Sequence, residues 1–278
     1  SREVVEPNGL KLLLKPVPGD EREHVLDPRV YARAHAKLAA GPAPAGPVDV
    51  IEWRSAPNKE THVVRGSNVA KKTVVMNFGD RGIPLHVFTP EGHESGSAAL
   101  VFIHGGGFMV GNIGQYENCL RDIAERTGCV AIYPEYRLSP ETMFPGGVED
   151  CVKTLDWLVE HADELGVDAT RVAVAGDSAG GSLTNAVVLD GSHADRIKLV
   201  AELYPLVDGG PVPEEWSYDL YEIVNDQRAE ALSRVDRIRN ANDDLPMMYT
   251  NGNAEEMLDP RVSALFAEDV SAFPRTVI

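Results

Sequence analysis

The chain has 278 residues, of which 43% are hydrophobic and 25% charged, and its formal net charge at pH 7 is −17. This size and composition are typical of one large soluble globular α/β domain. The acidic balance argues against a nucleic-acid or anionic-membrane partner, and no apolar run is long enough to span a bilayer.

The three cysteines, Cys119, Cys129 and Cys151, are odd in number, and each falls inside a predicted helix or strand. They are typical of small buried hydrophobes in a reducing compartment and do not suggest a disulfide framework. We therefore expect a cytoplasmic protein. None of them has a second cysteine or a histidine at ligand spacing, so we expect neither a metal site nor a cofactor.

The first 55 residues predict a helix and a linker. Asp27 can cap this helix, Pro28 suits its first turn, and the Gly- and Pro-rich stretch 41–47 ends it. From about residue 60 the hydrophobic period changes to two residues. This change predicts an antiparallel hairpin with strands over 73–77 and 83–88.

From residue 98 onward, predicted strands alternate with predicted helices. The strands are 98–103, 129–133, 171–175 and 198–204, and the helices are 116–127, 148–161 and 181–189. Continuous apolar strands separated by helices of this length predict a mostly parallel sheet with helices on both faces. Active sites of such sheets lie at the carboxyl ends of the strands.

The most informative stretch is Gly176-Asp-Ser-Ala-Gly-Gly181, between the predicted strand 171–175 and the helix after it. Its glycines remove the side chains around Ser178, as a tight strand-to-helix elbow requires. Such an elbow lifts a serine hydroxyl above the sheet, next to the free N–H groups of a helix N-terminus. We predict that Ser178 is a nucleophile.

A second glycine cluster, His104-Gly-Gly-Gly107, follows the strand 98–103. Glycines in this position can hold a phosphate, or they can leave backbone N–H groups free for an oxyanion. A phosphate loop needs Gly-Lys-Ser/Thr or a Gly-x-Gly-x-x-Gly helix start, and neither is present. The oxyanion hypothesis is the one that fits an elbow serine later in the chain.

Together these motifs resemble the hormone-sensitive-lipase-like family of α/β-hydrolase esterases. Further landmarks follow in the family's order: Tyr136-Arg-Leu-Ser-Pro-Glu141, Phe144-Pro145, Glu149-Asp150, Tyr204-Pro205 and Asp259-Pro-Arg-Val-Ser263. The resemblance implies an α/β-hydrolase fold with a helical cap. It also implies hydrolysis of small to medium acyl esters through an acyl-enzyme on Ser178.

The resemblance further implies roles for the residues around the serine. The oxyanion would be bound by the N–H groups of Gly106, Gly107 and Ala179. The loop and the elbow would be supported by His104, Gly105 and Asp177. The segment beside them would be braced by Glu141 and Asp150. Four residues are either walls of the acyl or alcohol pocket or ordinary packing residues: Phe108, Met143, Trp216 and Tyr218.

We predict four segments along the chain. They are an N-terminal cap helix and linker (1–55), the α/β-hydrolase core (56–207), an inserted cap (208–258) and a return to the core (259–278), which ends inside a predicted strand. The insertion is predicted from its prolines, its aromatic residues and a charged helical segment over 226–240.

In this fold the acid and the histidine follow the serine in the chain. The resemblance places the acid in the loop after the strand that begins at Arg275, and the histidine after one further strand. Both are therefore expected beyond Ile278. The only histidine after Ser178 in this sequence, His193, is predicted just past the helix 181–189, at the end of the sheet away from Ser178. We therefore expect a chain truncated at its C-terminus, and we expect residues 1–278 alone to be nearly inactive in ester hydrolysis. Three alternatives stay open: another chain supplies the last segment, residues 1–27 supply it in a permuted order, or a local group such as His104 acts as the base.

Two functions from different classes follow from these residues. The first is a carboxylesterase, and the second is a hydrolase-fold ligand-binding protein that has lost its base. The retained Ser178 and the complete glycine loop favour the enzyme. We expect a small-molecule ester as substrate, with no nucleic-acid or membrane partner. A homo-oligomer stays open.

Overall fold

The structure, a computed structural model, divides into two compact units. The smaller unit comprises Ser1–Pro47 and Val212–Asn242, and the larger comprises Val48–Pro211 and Asp243–Ile278. The structure describes residues 2–5, 11–14, 17, 19–20, 22, 25–41, 49–55, 66–210 and 225–278, without side chains at 2–4, 11–14, 225, 234 and 236–244. Trp216, Tyr218 and nearly all of the predicted linker 41–47 lie outside these residues.

The smaller unit contains a two-stranded antiparallel ribbon and helical segments. The ribbon pairs β1 (Arg2–Val5) with β2 (Lys11–Leu14), and no sequence pattern had indicated it. Helix α1 (Pro28–Ala39) begins as predicted, because the Asp27 side chain accepts a hydrogen bond from an N–H of the first turn.

Polar contacts within the smaller unit join its N-terminal segment to the start of helix α7 (Arg228–Tyr249) and the 3₁₀ turn before it. They are Arg22 to Asp226 (2.7 Å), Leu26 N–H to Gln227 Oε1 (2.8 Å) and His35 Nδ1 to Glu230 Oε1 (2.8 Å). Helix α7 extends past the predicted segment 226–240, and its residues from Asp243 onward belong to the larger unit.

The larger unit is built on a seven-stranded sheet. Its strands are β3 (Val69–Phe78), β4 (Arg81–Pro90), β5 (Ser97–Ile103), β6 (Val130–Pro134), β7 (Val167–Asp177), β8 (Ile197–Leu203) and β9 (Arg275–Val277). Their order is β3-β4-β6-β5-β7-β8-β9. The predicted hairpin is the antiparallel pair β3–β4 at one edge, β4 and β6 are antiparallel, and the other neighbours are parallel. The predicted mostly parallel sheet is confirmed.

Helices cover both faces of this sheet, as predicted. Helix α3 (Ile113–Thr127) packs on one face, and α4 (Gly146–Glu160) and α6 (Ala179–Asp190) pack on the other. Successive residues of β5 point alternately into the two cores, with Val101 on the α4 and α6 side and Phe102 on the α3 side. Short helices lie at α2 (Val50–Ser55), α5 (Ala162–Leu165) and α8 (Ala254–Met257).

The cysteines occupy different environments. Cys129 and Cys151 are buried, as predicted, whereas Cys119 is exposed, so its prediction as a buried hydrophobe is wrong. Cys119 lies in α3, one residue before the buried Leu120, and therefore on a different part of the helix surface. In the described part of the chain, no helix combines the length and apolar character needed to cross a membrane.

Candidate active site

The chain turns sharply from β7 into α6 at Ser178. This residue has φ 53° and ψ −123°, a backbone conformation that residues with a Cβ rarely adopt. Its N–H donates to Leu203 O at 2.9 Å, and its carbonyl accepts from Ser182 N–H at 3.2 Å. Strand β8 and helix α6 therefore hold the turn from both sides.

Glycines make this turn sterically feasible. A Cβ at Gly176 would lie 2.4 Å from Gly180 O, and a Cβ at Gly180 would lie 2.1 Å from Ile103 O. Either contact is much shorter than a van der Waals distance, so the backbone would have to move. The backbone adopts the strand, tight turn and helix that this glycine spacing predicts.

The glycine loop after β5 also needs residues without a Cβ. Gly106 has φ 124°, and a Cβ there would lie 1.9 Å from Val110 O. Gly107 has φ 61°, and its Cβ would lie 2.6 Å from Leu245 Cδ2. The Gly106 carbonyl accepts from Met109 N–H at 3.1 Å and Val110 N–H at 3.0 Å, which closes the loop.

The glycine loop and the elbow lie side by side. Gly105 N–H donates to Asp177 Oδ1 at 2.9 Å, and a Cβ at Gly105 would lie 2.5 Å from Asp177 O. Among the described residues, the backbone N–H groups of Gly106, Gly107 and Ala179 donate to no other group. Three free donors are thus provided by the two segments that meet next to Ser178.

His104 is enclosed by aromatic rings and fully buried. Its ring stacks on Tyr136 at 4.3 Å and on Tyr133 at 5.3 Å between centroids. Nδ1 lies 2.7 Å from Gly105 O, and because a carbonyl only accepts, Nδ1 carries the proton. Burial lowers the pKa of His104 to about 4, so the ring is neutral at pH 7. This contact to the loop backbone fits the supporting role that the resemblance implied.

Asp177 connects the elbow to the glycine loop and does not cap helix α6, whose N-cap, Ser178, has no side-chain capping bond. Its second carboxylate oxygen, Oδ2, accepts from the Tyr116 hydroxyl at 3.1 Å. Burial raises the pKa of Asp177, and the bonds from Gly105 N–H and the Tyr116 hydroxyl oppose that rise. Tyr116 is 61 residues from Asp177 and carries no local motif, so this contact could not be inferred from the sequence.

The segment after β6 is held by two ion pairs. Arg137 binds the buried carboxylate of Asp150, with Nη2 to Oδ1 at 2.6 Å. Arg54 binds Glu141 at 2.7 Å and donates from Nε to Met109 O, at the end of the glycine loop, at 2.7 Å. The braces predicted at Glu141 and Asp150 are therefore ionic. No sequence motif marks Arg54, the residue that connects Glu141 to the loop.

Substituting Asp150 tests this brace. We expect Asp150→Asn to lower the free energy of unfolding by about 2 kcal/mol, because the Arg137 guanidinium loses a charged, fully buried partner. Glu149→Gln is the matched control, since Glu149 is half-exposed and 3.5 Å from the same guanidinium. It should change stability by less than about 0.5 kcal/mol. Urea titrations in which the two variants lose equal stability would contradict this account.

Three residues considered from the sequence remain: Phe108, Met143 and His193. Phe108 is buried and stacks on Tyr249 with ring centroids 4.0 Å apart, so it is a packing residue and not a pocket wall. Met143 is half-buried, and its role stays a prediction. His193 Nε2 binds Asp156 Oδ1 at 2.9 Å, beyond the far end of helix α6.

The chain is similar to known esterases. A family model described as alpha/beta hydrolase fold matches residues 100–278. An ethyl acetate hydrolase of Pseudomonas putida is 36% identical over 133 residues, which are 45% of this chain and 41% of that protein. An acetyl esterase of Salmonella choleraesuis is 34% identical over 128 residues, 45% of this chain and 38% of that protein.

A solved structure is similar over a larger share of the chain. The hyperthermophilic esterase from the archaeon Pyrobaculum calidifontis has a TM-score of 0.68 and 25% identity, covering 90% of this chain and 78% of that one. The match to the two sequence relatives spans only about two fifths of their length. The family model covers well over half of the chain. The chain therefore belongs to the α/β-hydrolase family that includes the hormone-sensitive-lipase-like esterases.

Proposed function

We propose that this protein is a carboxylic ester hydrolase in which Ser178 is the nucleophile. The observation that carries the proposal is the placement of Ser178 on a strained turn, at φ 53°, directly beside the glycine loop. A hydroxyl on such a turn is presented away from its own backbone. The free N–H groups of the loop and of the α6 N-terminus supply the donors that an oxyanion needs.

In the proposed reaction, Ser178 Oγ attacks the ester carbonyl carbon and its proton passes to a general base. The carbonyl oxygen becomes an oxyanion that accepts hydrogen bonds from Gly106, Gly107 and Ala179 N–H. Collapse of this intermediate breaks the C–O bond of the ester, and the alcohol leaves with a proton. Water then hydrolyses the acyl-enzyme. Each oxyanion donor is worth roughly 3 kcal/mol of transition-state stabilisation.

The general base and its acid are not assigned to residues of this sequence. Neutral His104 already donates Nδ1–H to the loop, and His193 is paired with Asp156. Among the described residues, no histidine hydrogen-bonds the Ser178 hydroxyl. This observation is what favours the second candidate function, a hydrolase-fold protein that binds esters without cleaving them.

Two further features support small to medium acyl esters as substrates and a cytoplasmic location. The two sequence relatives are named for ethyl acetate and acetyl ester hydrolysis, which favours small to medium acyl groups. We also propose a cytoplasmic location, because free cysteines such as these three are typical of reducing compartments.

A series of p-nitrophenyl esters of increasing acyl length tests the function. We expect the full-length protein to release p-nitrophenol from the acetate and butyrate esters and much less from the palmitate ester. Saturable ester binding without release of p-nitrophenol would favour the ligand-binding function. Preferential turnover of the palmitate ester would contradict the proposed acyl range.

A further inference from the structure

Three polar groups meet between the end of β5, the first turn of α3 and the end of β7. They are Gly105 N–H, the Tyr116 hydroxyl and the Asp177 carboxylate. We propose that Tyr116 is a positioning residue that, together with Asp177, holds the glycine loop against the elbow and so sets the geometry of the oxyanion donors. This inference rests on the function proposed above.

Each of these three groups is hydrogen-bonded to the other two. Gly105 N–H is shared between Asp177 Oδ1 at 2.9 Å and the Tyr116 oxygen at 3.2 Å. Because a carboxylate only accepts, the Tyr116 hydroxyl donates to Asp177 Oδ2 at 3.1 Å. Gly105 directly precedes the proposed donors Gly106 and Gly107, and Asp177 directly precedes Ser178. The group therefore joins the two segments that must keep a fixed separation during attack.

The backbone and ring of Tyr116 are fixed independently of this group. Helix α3 begins with the Asn112 side chain accepting from Gly114 N–H at 2.9 Å, and Ile113 N–H donates to Glu135 Oε1 at 2.9 Å. The Tyr116 ring contacts Phe102, Tyr133 and His104, with centroids 5.6, 5.7 and 5.9 Å away. With its ring held this way, the hydroxyl acts as a rigid spacer between loop and elbow.

The bond from Gly105 N–H to Asp177 is sensitive to pH because its acceptor is a charged carboxylate. In the described part of the chain, the titratable groups that interact electrostatically with this carboxylate are all neutral at pH 7: Tyr116 and Cys119 on α3, Tyr133 and Tyr136 on and after β6, and Tyr204 after β8. His104, whose ring contacts Tyr116, is neutral as well. No cation among these described groups therefore offsets the burial that raises the pKa of Asp177. As the pH falls through that raised pKa, the carboxylate is protonated and its bond to Gly105 N–H weakens.

Removing the Tyr116 hydroxyl should shift the protonation of Asp177, and with it the weakening of the Gly105 bond, to higher pH. The hydroxyl bond lowers the pKa of Asp177, so its loss raises that pKa further, and the loop is released at a higher pH. A role in packing alone would not move the transition, because phenylalanine preserves the ring contacts.

The test compares Tyr116→Phe with Tyr133→Phe. Tyr133 belongs to the same aromatic cluster, but its buried hydroxyl has no hydrogen-bond partner among the described residues, so the control removes the same atom without removing a bond. Two quantities are measured across pH: the exchange protection of the Gly105 amide, and the rate at which a fluorophosphonate modifies Ser178. The second quantity reports on the oxyanion donors, because the probe's phosphoryl oxygen occupies the proposed hole.

We expect Tyr116→Phe to lower both quantities about tenfold at pH 7, as loss of a hydrogen bond to a charged group implies. In Tyr116→Phe, the pH at which both quantities fall on the acid side should be higher than in wild type. In Asp177→Asn, the exchange protection of the Gly105 amide should no longer change at that pH. Tyr133→Phe should stay within about twofold of wild type. Equal behaviour of the two phenylalanine variants, or weaker protection with an unchanged Ser178 rate, would overturn the inference. A wild-type protein unreactive at Ser178 would instead count against the proposed function. The exchange data alone would then decide whether Tyr116 and Asp177 hold the glycine loop.

Discussion

Replacing Gly180 by alanine is expected to lower the free energy of unfolding by about 3 kcal/mol and to remove the reactivity of Ser178. The new Cβ would lie 2.1 Å from Ile103 O and 2.6 Å from the carbonyl carbon of His104, and both of these are backbone atoms. They belong to β5 and the residue after it and cannot rotate away, so helix α6 has to shift from the glycine loop. That shift would separate Ser178 from the proposed oxyanion donors.

Gly191→Ala, at the other end of the same helix, is the matched control. Gly191 has φ 78°, and a Cβ there would have no neighbour within 4 Å. Its substitution should cost only about 1 kcal/mol of left-handed backbone strain and leave Ser178 reactive. Denaturant titrations that gave Gly180→Ala the smaller loss of stability would show that α6 does not pack on the loop as described.

The parts of the site that were predictable from sequence are those encoded within a few residues. Gly176 and Gly180 flank Ser178 because the turn brings their own backbones within contact distance. The run from His104 to Gly107 follows a buried strand directly, so its position at a carboxyl strand end could be inferred. Local sterics thus indicate both the elbow and the loop.

The connections between these segments were not predictable. Tyr116 reaches Asp177 across 61 residues, and Arg54 reaches Met109 across 55 and Glu141 across 87. Each depends on how the sheet and helices assemble, and a single tyrosine or arginine has no periodic pattern to mark it. The same reason applies to Phe108, since only the packed structure shows that its ring lies against Tyr249.

The ribbon β1–β2 and the short helix α2 were missed for a different reason. Strands of 4 residues and a helix of 6 residues are too short to establish a hydrophobic period. The sheet could be predicted because apolar strands such as β5 and β6 alternate with the 15-residue helices α3 and α4, which are long enough to show their pattern.

Replacing Ser178 by alanine should abolish covalent modification of the protein by a fluorophosphonate. Alanine removes the only hydroxyl on the strained turn and leaves the elbow glycines and the loop unchanged. Ser182→Ala, one helical turn further along α6, is the control. Its hydroxyl is buried and donates to Leu206 O at 2.6 Å, so its loss should cost stability of about 1 kcal/mol and leave labelling intact.

Mass spectrometry of the labelled full-length protein is therefore the most direct measurement of whether the elbow serine is the nucleophile. We expect one adduct, on the peptide that contains Ser178, in wild type and Ser182→Ala, and none in Ser178→Ala. An adduct that persists in Ser178→Ala, or a wild-type protein modified on a different residue, would contradict it.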